Sequence, residues 1–493
     1  MRRTIHVVNY DHAVNRRIAF ASSIAVLLIG MAVMLLRNNC YCAAGPDSSG
    51  YMNEARLIAS GRRSVPIAQT VIPTERFVPL GFTRWGERPA MVPTYPPGLP
   101  ILVAAFAAIG GWAHAAFLVV PFTAIGCVVL TALLASELGV SRWMSVAGAA
   151  ILALTPFFIF HALVVMSDVP ATFFVLLAVW FARRGANHAG WAAAAGLSFA
   201  CAVATRPTNL LVVIAIICAL RWRLRGLVCA AASAIPIGAA LMWLSSTWYG
   251  SPWRTGYGSL TDVVGAGFPC AVFHLKTLAT MLTLVLAGAF AVFDGTVARR
   301  ERAILACWFG PLLLFYSMYN FCSNWTFARF LLPAVPALII GFLLLLHRFG
   351  DALERRKHPA AARFAVMAML LLVLYVAGRA SSQLRVFRSD DQDAQYPRLV
   401  HWARAQMPEH SRLLAGVASG AWFYYTNTLA VRWDGTTRQE LERVRNAPQF
   451  RGVAWYALIS DKEFADPPFQ GRFAGSWRVA GRMGDVTLWR LEP

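Results

Sequence analysis

The feature that most constrains this chain is a recurring one. Apolar runs near the ~17–25 residues that cross a bilayer follow one another along most of its length, separated by short polar segments. Lipid offers no hydrogen bonds, so each such run must satisfy its backbone N–H and C=O groups within itself, as a helix. The 493 residues are 58% hydrophobic and only 14% charged, where soluble domains carry about 25% charge. The expected class is a polytopic α-helical membrane protein. A net charge of +21 would suit a nucleic-acid binder only if it formed one basic face. Here it is dealt out in small Arg clusters between the runs, which is how topology is signalled, so no nucleic-acid partner is expected.

Those clusters set the topology. Residues 1–17 are polar and basic, with Arg2, Arg3, Arg16 and Arg17, and precede the apolar run Ile18–Leu36. That run reads as an uncleaved first span with its N-terminus inside. Crossings at about 18–36, 114–138, 143–161, 169–183, 189–205, 207–220, 226–248, 272–293, 302–319, 330–347 and 362–379 give about eleven transmembrane helices. Arg142, Arg183/Arg184, Arg221/Arg223/Arg225, Arg299/Arg300/Arg302 and Arg348/Arg355/Arg356 then all fall inside, as the positive-inside rule requires. The apolar piece Leu99–Ile109 is too short to add a crossing. As a helix it spans roughly 16 Å against the ~30 Å of a hydrocarbon core, so it is read as a surface or re-entrant helix. The domain reading is a transmembrane domain over 1–379, holding a long first outer loop at 37–113, followed by an outer domain over 380–493. This tail is charged, with strand-like runs at Arg412–Val417, Leu429–Trp433, Val453–Ser460 and Val486–Leu491 and helical stretches at Gln395–Gln406 and Thr437–Arg445. It is expected to be a small α/β domain outside the membrane.

With that parity the outer face collects Asp47, Glu54, Glu75, Arg84 and Glu87 in the first loop, then Asp168, Arg206, Arg254, Asp262 and Arg329. Asp47 opens a helical stretch, Ser48–Ser60, closed by Gly61. It reads either as a helix cap or as a catalytic base at the lipid–water boundary. Asp168 is open to the same two readings, with Pro170 favouring a helix start. Arg206 and Arg329 oppose the inside bias of the other arginines, and the planar fork of Arg suits a phosphate. A carboxylate can take a proton from a hydroxyl nucleophile while arginines neutralise a phosphate leaving group. No Ser/His/Asp or Cys/His arrangement competes, and His161 and His274 read as structural. Of nine cysteines, Cys40, Cys42, Cys270 and Cys322 lie near the outer face, where a disulfide is compatible with an oxidising compartment, with the pairing open.

Five motifs then carry a resemblance: Pro46-Asp47-Ser48-Ser49-Gly50-Tyr51, Tyr95-Pro96-Pro97-Gly98, Met166-Ser167-Asp168-Val169-Pro170, Arg206-Pro207-Thr208 and Arg329-Phe330-Leu331-Leu332-Pro333. In order and spacing over about 330 residues, they resemble the GT-C-fold glycosyltransferases that use polyprenyl-phosphate sugars. The likeness is to the bacterial branch related to protein O-mannosyltransferases and lipid A aminoarabinose transferases. The resemblance implies a membrane glycosyltransferase that moves a sugar from a polyprenyl-phosphate donor to a hydroxyl or similar group on an acceptor lipid, glycan or protein. Inversion and an active site facing the periplasm of a bacterial inner membrane are implied with it. By the same resemblance, Asp47 is the base and Asp168 a second outer acid. Tyr51, Tyr95, Arg206 and Arg329 bind substrate, and a divalent metal ion, if one is used, falls to Glu87 or Glu75. Ser48 stands where the family's pattern has a second acid beside the base.

Two other classes stay open. A transporter or lipid flippase would place ionisable or helix-breaking residues at the midplane, where this chain is nearly free of charge. A non-catalytic assembly protein would use the tail as its binding module and leave Asp47 dispensable.

Overall fold

The computed structural model describes residues 2–67, 77–265, 267–388, 395–434, 437–461, 463 and 475–492, with only the backbone of residues 2–17, 19 and 449. Glu75 lies outside the described residues. The chain divides into two compact units.

The first unit, residues 1–39, 118–240 and 260–389, is a helical bundle. Helical structure covers each segment read as a crossing. Among the described residues, six helices are long and apolar enough to cross a membrane: 20–38, 115–137, 224–249, 271–292, 325–355 and 359–383. The pair Arg142–Leu154 and Pro156–Ala162, bent by 65°, would make a seventh. The chain is therefore a multi-pass membrane protein. The bend falls where it must. Thr155 is extended, with φ −63° and ψ 123°, because a residue preceding proline is pushed out of the α region, and Pro156 then opens the next helix. Close backbone packing needs glycine at one crossing. A Cβ on Gly341 would run into the carbonyl of Gly288, so the helix Val335–Arg355 lies directly against the 3-10 segment Thr283–Val292. The arginines expected on the inner side do more than signal topology: Arg183 pairs with Glu301 at 3.0 Å and Arg184 with Glu137 at 2.7 Å. Of the four cysteines expected near the outer face, Cys270 and Cys322 form a disulfide.

The second unit comprises residues 40–117, 241–259 and 390–493. The expected surface helix is present as Pro46–Ala59, and the short apolar piece forms a helix of 13 residues, Gly98–Gly110, about 20 Å long. Between them lies a small antiparallel sheet of β1 (Val65–Pro66), β2 (Phe82–Arg84) and β3 (Ala90–Pro93), in the order β1-β3-β2. The tail contributes β4 (Ser411–Ala415), β5 (Ala454–Ser460), β6 (Trp477–Met483) and β7 (Val486–Leu491), in the order β4-β5-β7-β6, with β4 and β5 parallel and the rest antiparallel. The run Leu429–Trp433 supplies only an isolated bridge, Leu414 to Val431, whereas β6 has no counterpart in the sequence reading. The helix Arg438–Asn446 starts at a capping box: Thr437 accepts from Glu440 N–H, and the Glu440 side chain accepts from Thr437 N–H. One apolar core runs through the unit, with Leu57, Phe82 and Met91 of the first loop packed among Leu414, Val431, Trp455 and Leu491 of the tail. The sequence reading divides the chain once, at residue 380. The contacts instead group the tail with the first outer loop and with residues 241–259.

Candidate active site

In the second unit the site is built on the first turn of the helix Pro46–Ala59. Gly45, at φ +43°, occupies the cap position and Pro46 the first helical position, a place that suits proline's fixed φ. Asp47 is therefore the second helical residue and not the cap. Its charge still complements the helix dipole. The half-buried carboxylate accepts a 2.8 Å hydrogen bond from the Tyr95 hydroxyl. Tyr95 is held on both faces, by Tyr51 at a ring-centroid distance of 4.4 Å and by Tyr257 at 5.9 Å. Gly50 makes this approach fit. A Cβ there would clash with the Tyr95 ring and lie 2.9 Å from the Gly81 Cα.

The far side of the same helix is clamped by the helix Ser419–Thr426. Asn53 donates to the Gly420 carbonyl at 3.0 Å. Arg56 donates to the Tyr424 carbonyl at 2.6 Å with its guanidinium 3.5 Å from the centre of the Tyr424 ring. Nearby, Ser419 Oγ accepts from Leu80 N–H at 3.1 Å. Glu54 lies two turns from Asp47. It is fully buried, neither carboxyl oxygen has a hydrogen-bond partner among the described residues, and burial pushes its carboxyl well above the usual carboxylate range.

Beside Tyr95 opens a cleft of about 560 Å³ between the β2–β3 turn and residues 247–258. Two hydrogen bonds join its walls, Trp85 Nε1 to the Thr247 carbonyl and Tyr249 Oη to the Pro93 carbonyl, both 2.7 Å. Gly256 has no room for a Cβ against Thr94. The lining carries Arg84, Arg88 and Arg254 with Trp85, Trp248 and Tyr249. Arg84 pairs with Glu87 at 3.1 Å and Arg88 stacks over Trp85 at 4.2 Å, while the exposed Arg254 guanidinium has no ion-pair partner among the described residues. Tyr257, which packs on Tyr95, belongs to this wall segment without lining the cleft, and the arginine cleft neighbours Tyr95 through the loop that closes onto Thr94. Sequence reasoning placed Arg84 and Arg254 on the outer face but did not group them, because they lie 170 residues apart and meet only through the loop closing onto Thr94.

Glu87, expected as a metal ligand, is 98% exposed and held by Arg84. No group of three His, Cys, Asp or Glu side chains that could hold a metal occurs among the described residues. One solvated carboxylate already neutralised by an arginine is a poor donor set for a divalent cation.

The remaining expected residues belong to the helical bundle and form their own group. Asp168 opens the helix Asp168–Gly185 behind Ser167. Its carboxylate, 1% exposed, forms an ion pair with Arg206, the residue ending the helix Ala189–Thr205. Arg206 and Arg329 flank the Phe330 ring at 5.1 and 5.3 Å, and Phe330 in turn stacks on Tyr316 at 5.3 Å. The described residues thus bring Asp47, Tyr51 and Tyr95 together in one unit, and Asp168, Arg206 and Arg329 together in the other.

A bundle of membrane-crossing helices with a mixed-sheet unit is a fold that comparison with known proteins also finds. Residues 111–251 match the model of the dolichyl-phosphate-mannose-protein mannosyltransferase family. Among solved structures the chain is similar to ArnT from Cupriavidus metallidurans bound to undecaprenyl phosphate, with a TM-score of 0.58 and 14% identity over 94% of this chain and 97% of that one. It is also similar to the apo form of the same protein, with a TM-score of 0.53 and 15% identity over 97% and 98% of the two chains. A mutant form of the mycobacterial arabinofuranosyltransferase AftD gives a TM-score of 0.51 and 14% identity over 96% of this chain and 41% of that one. Curated protein sequences give no match.

Proposed function

We propose that this chain is a glycosyltransferase of a bacterial inner membrane, with about eleven crossings, that takes a sugar from a polyprenyl-phosphate donor and transfers it, with inversion, on the periplasmic face. The observation that carries the proposal is that one unit holds the half-buried carboxylate Asp47, bonded by Tyr95, and an arginine- and tryptophan-lined cleft whose wall closes onto Thr94, the neighbour of Tyr95. A transfer of this kind needs a base at the acceptor hydroxyl and positive charge at the departing phosphate, and that neighbourhood supports assigning the two roles here. Asp47 takes the acceptor proton. The Tyr95 hydroxyl fixes the carboxylate by the oxygen it bonds. Arg88 and Arg254 receive the phosphate of the donor, and Trp85 and Trp248 offer aromatic faces to sugar or lipid. Undecaprenyl phosphate on the structurally similar ArnT supports a donor of that class. In the bundle, Asp168 acts by holding Arg206, and Arg206 with Arg329 forms a second cationic group suited to an anion. The described residues do not assemble a metal site, and no step is routed through one.

The test is transfer by the full-length protein in membranes supplied with labelled polyprenyl-phosphate sugars. Asp47→Asn should keep its fold and lose ~10²–10⁴-fold in kcat, the usual worth of a positioned base. Arg254→Gln should instead raise KM for the donor by roughly tenfold or more, the worth of a charged hydrogen bond. A folded Asp47→Asn variant that transfers at the normal rate would remove the base from this reading.

A further inference from the structure

Five residues before Asp47 stand two cysteines that the transfer chemistry does not use. Cys40 and Cys42 are both buried, 1% and 7% exposed. Their sulfurs are 2.9 Å apart, inside the ~3.5–4.0 Å optimal separation of even unbonded carbon atoms. No side chain intervenes, because Tyr41 points away to rings of His114 at 5.5 Å and Phe117 at 6.4 Å. The segment that follows is tied down atom by atom. Ala43 N–H donates to the Tyr425 hydroxyl at 2.9 Å and Ala44 N–H to Ser48 Oγ at 3.4 Å, while the Ser49 hydroxyl bonds back to the Gly45 carbonyl.

We infer that Cys40 and Cys42 form a second disulfide, closing a Cys-Tyr-Cys ring that anchors the approach to the Asp47 helix. The topology read from the sequence places both on the same side as Cys270 and Cys322, whose bond requires an oxidising compartment. The reaction is two thiol–disulfide exchanges. The Cys40 thiolate attacks an external protein disulfide and expels one thiol. The Cys42 thiolate then attacks Cys40 Sγ and expels the second. Two cysteine thiols are oxidised, and one external disulfide is reduced to a dithiol. A three-residue loop removes little entropy from the unfolded chain, far less than the 52-residue separation closed by Cys270–Cys322. Its effect is therefore local. It stops the chain from pivoting where the first span hands over to the helix carrying Asp47.

The full-length protein, purified without reductant, is acid-quenched, denatured, blocked with N-ethylmaleimide and digested with trypsin. Cleavage after Arg37 and Arg56 yields one peptide holding both cysteines. The inference expects this peptide unlabelled and about 2 Da light, the mass of the two hydrogens lost on oxidation, and labelled twice once reduced. Two labels before reduction would overturn the bond. The anchoring role is read by hydrogen exchange on oxidised wild type and Cys40→Ser, without reductant, so that Cys270–Cys322 stays closed in both. The amides of Ser48 and Ser49 should exchange at least severalfold faster in the variant, with those of 454–460 unchanged. Equal exchange at Ser48 and Ser49 would overturn the anchoring. Neither readout depends on sugar transfer, so a failure of the enzymatic proposal would not be mistaken for a failure of this one.

Discussion

A carboxyl buried like that of Glu54 keeps its proton to higher pH in the folded chain than in the unfolded one. Its folded pKa is raised well above 4.5 by desolvation, so above an unfolded value near ~4.3 the native state binds more protons than the unfolded state. Stability therefore falls as pH rises from that value toward the folded one, by up to about 1.4 kcal/mol per pH unit. Glu54→Gln keeps the shape and removes the titration. Thermal unfolding in detergent at pH 5 and pH 8 should show wild type losing more stability than Glu54→Gln over that interval. Identical profiles would mean that Glu54 is solvated in the native protein. At this scale the sequence was informative about Asp47 and Asp168, whose positions at helix starts could be read from Gly45-Pro46 and Val169-Pro170. It was silent about their partners. The Tyr95 hydroxyl on Asp47 and the Arg206 pair on Asp168 join residues 48 and 38 positions apart, and no local pattern announces such meetings. The capping alternative for Asp47 gives way to a simple geometric fact, that Gly45 at positive φ takes the cap.

The element that decides the geometry of the site is the helix Pro46–Ala59, pressed by Tyr95 on one side and by the helix Ser419–Thr426 on the other. Gly50 is the tightest point. Gly50→Ala should force Tyr95 and the Gly81 backbone apart, at the ~1–3 kcal/mol typical of overpacking, and draw the tyrosine off Asp47. The expected outcome is a Tm several degrees lower together with a fall in transfer beyond what the stability loss explains. Tyr95→Phe serves as the comparison, since it removes the hydroxyl and leaves the packing. An unchanged Tm for Gly50→Ala would mean that the helix and hairpin can slide apart freely. The helices were legible because apolar runs and Gly/Pro punctuation are local signals, and the 13-residue helix Gly98–Gly110 was readable from its length alone. The strands β2, β3 and β6 were not. β2 and β3 are short, and β6, although seven residues long, is exposed along most of its length, so it lacks the alternation that marks a half-buried strand.

For the whole molecule, the orientation of every later segment rests on that short helix staying on one side. Reporter fusions after residues 110 and 140 test it. Under the eleven-span reading the first should report the periplasm and the second the cytoplasm, and a fusion at 140 reporting the periplasm would invert the orientation of every later segment. Architecture at this scale was half visible. Charge clusters between spans are written in the sequence, whereas the return of the chain to one unit from three separate stretches is a matter of long-range packing that periodicity does not encode. That return has a consequence for how the protein is made. The helix bearing Asp47 is synthesised well ahead of the partners of Asn53, Arg56 and Leu80, which lie at residues 419–424. A ribosome must add between 339 and 368 further residues before those pairs can close. A chain stopped short of them would carry its first acid without the clamp.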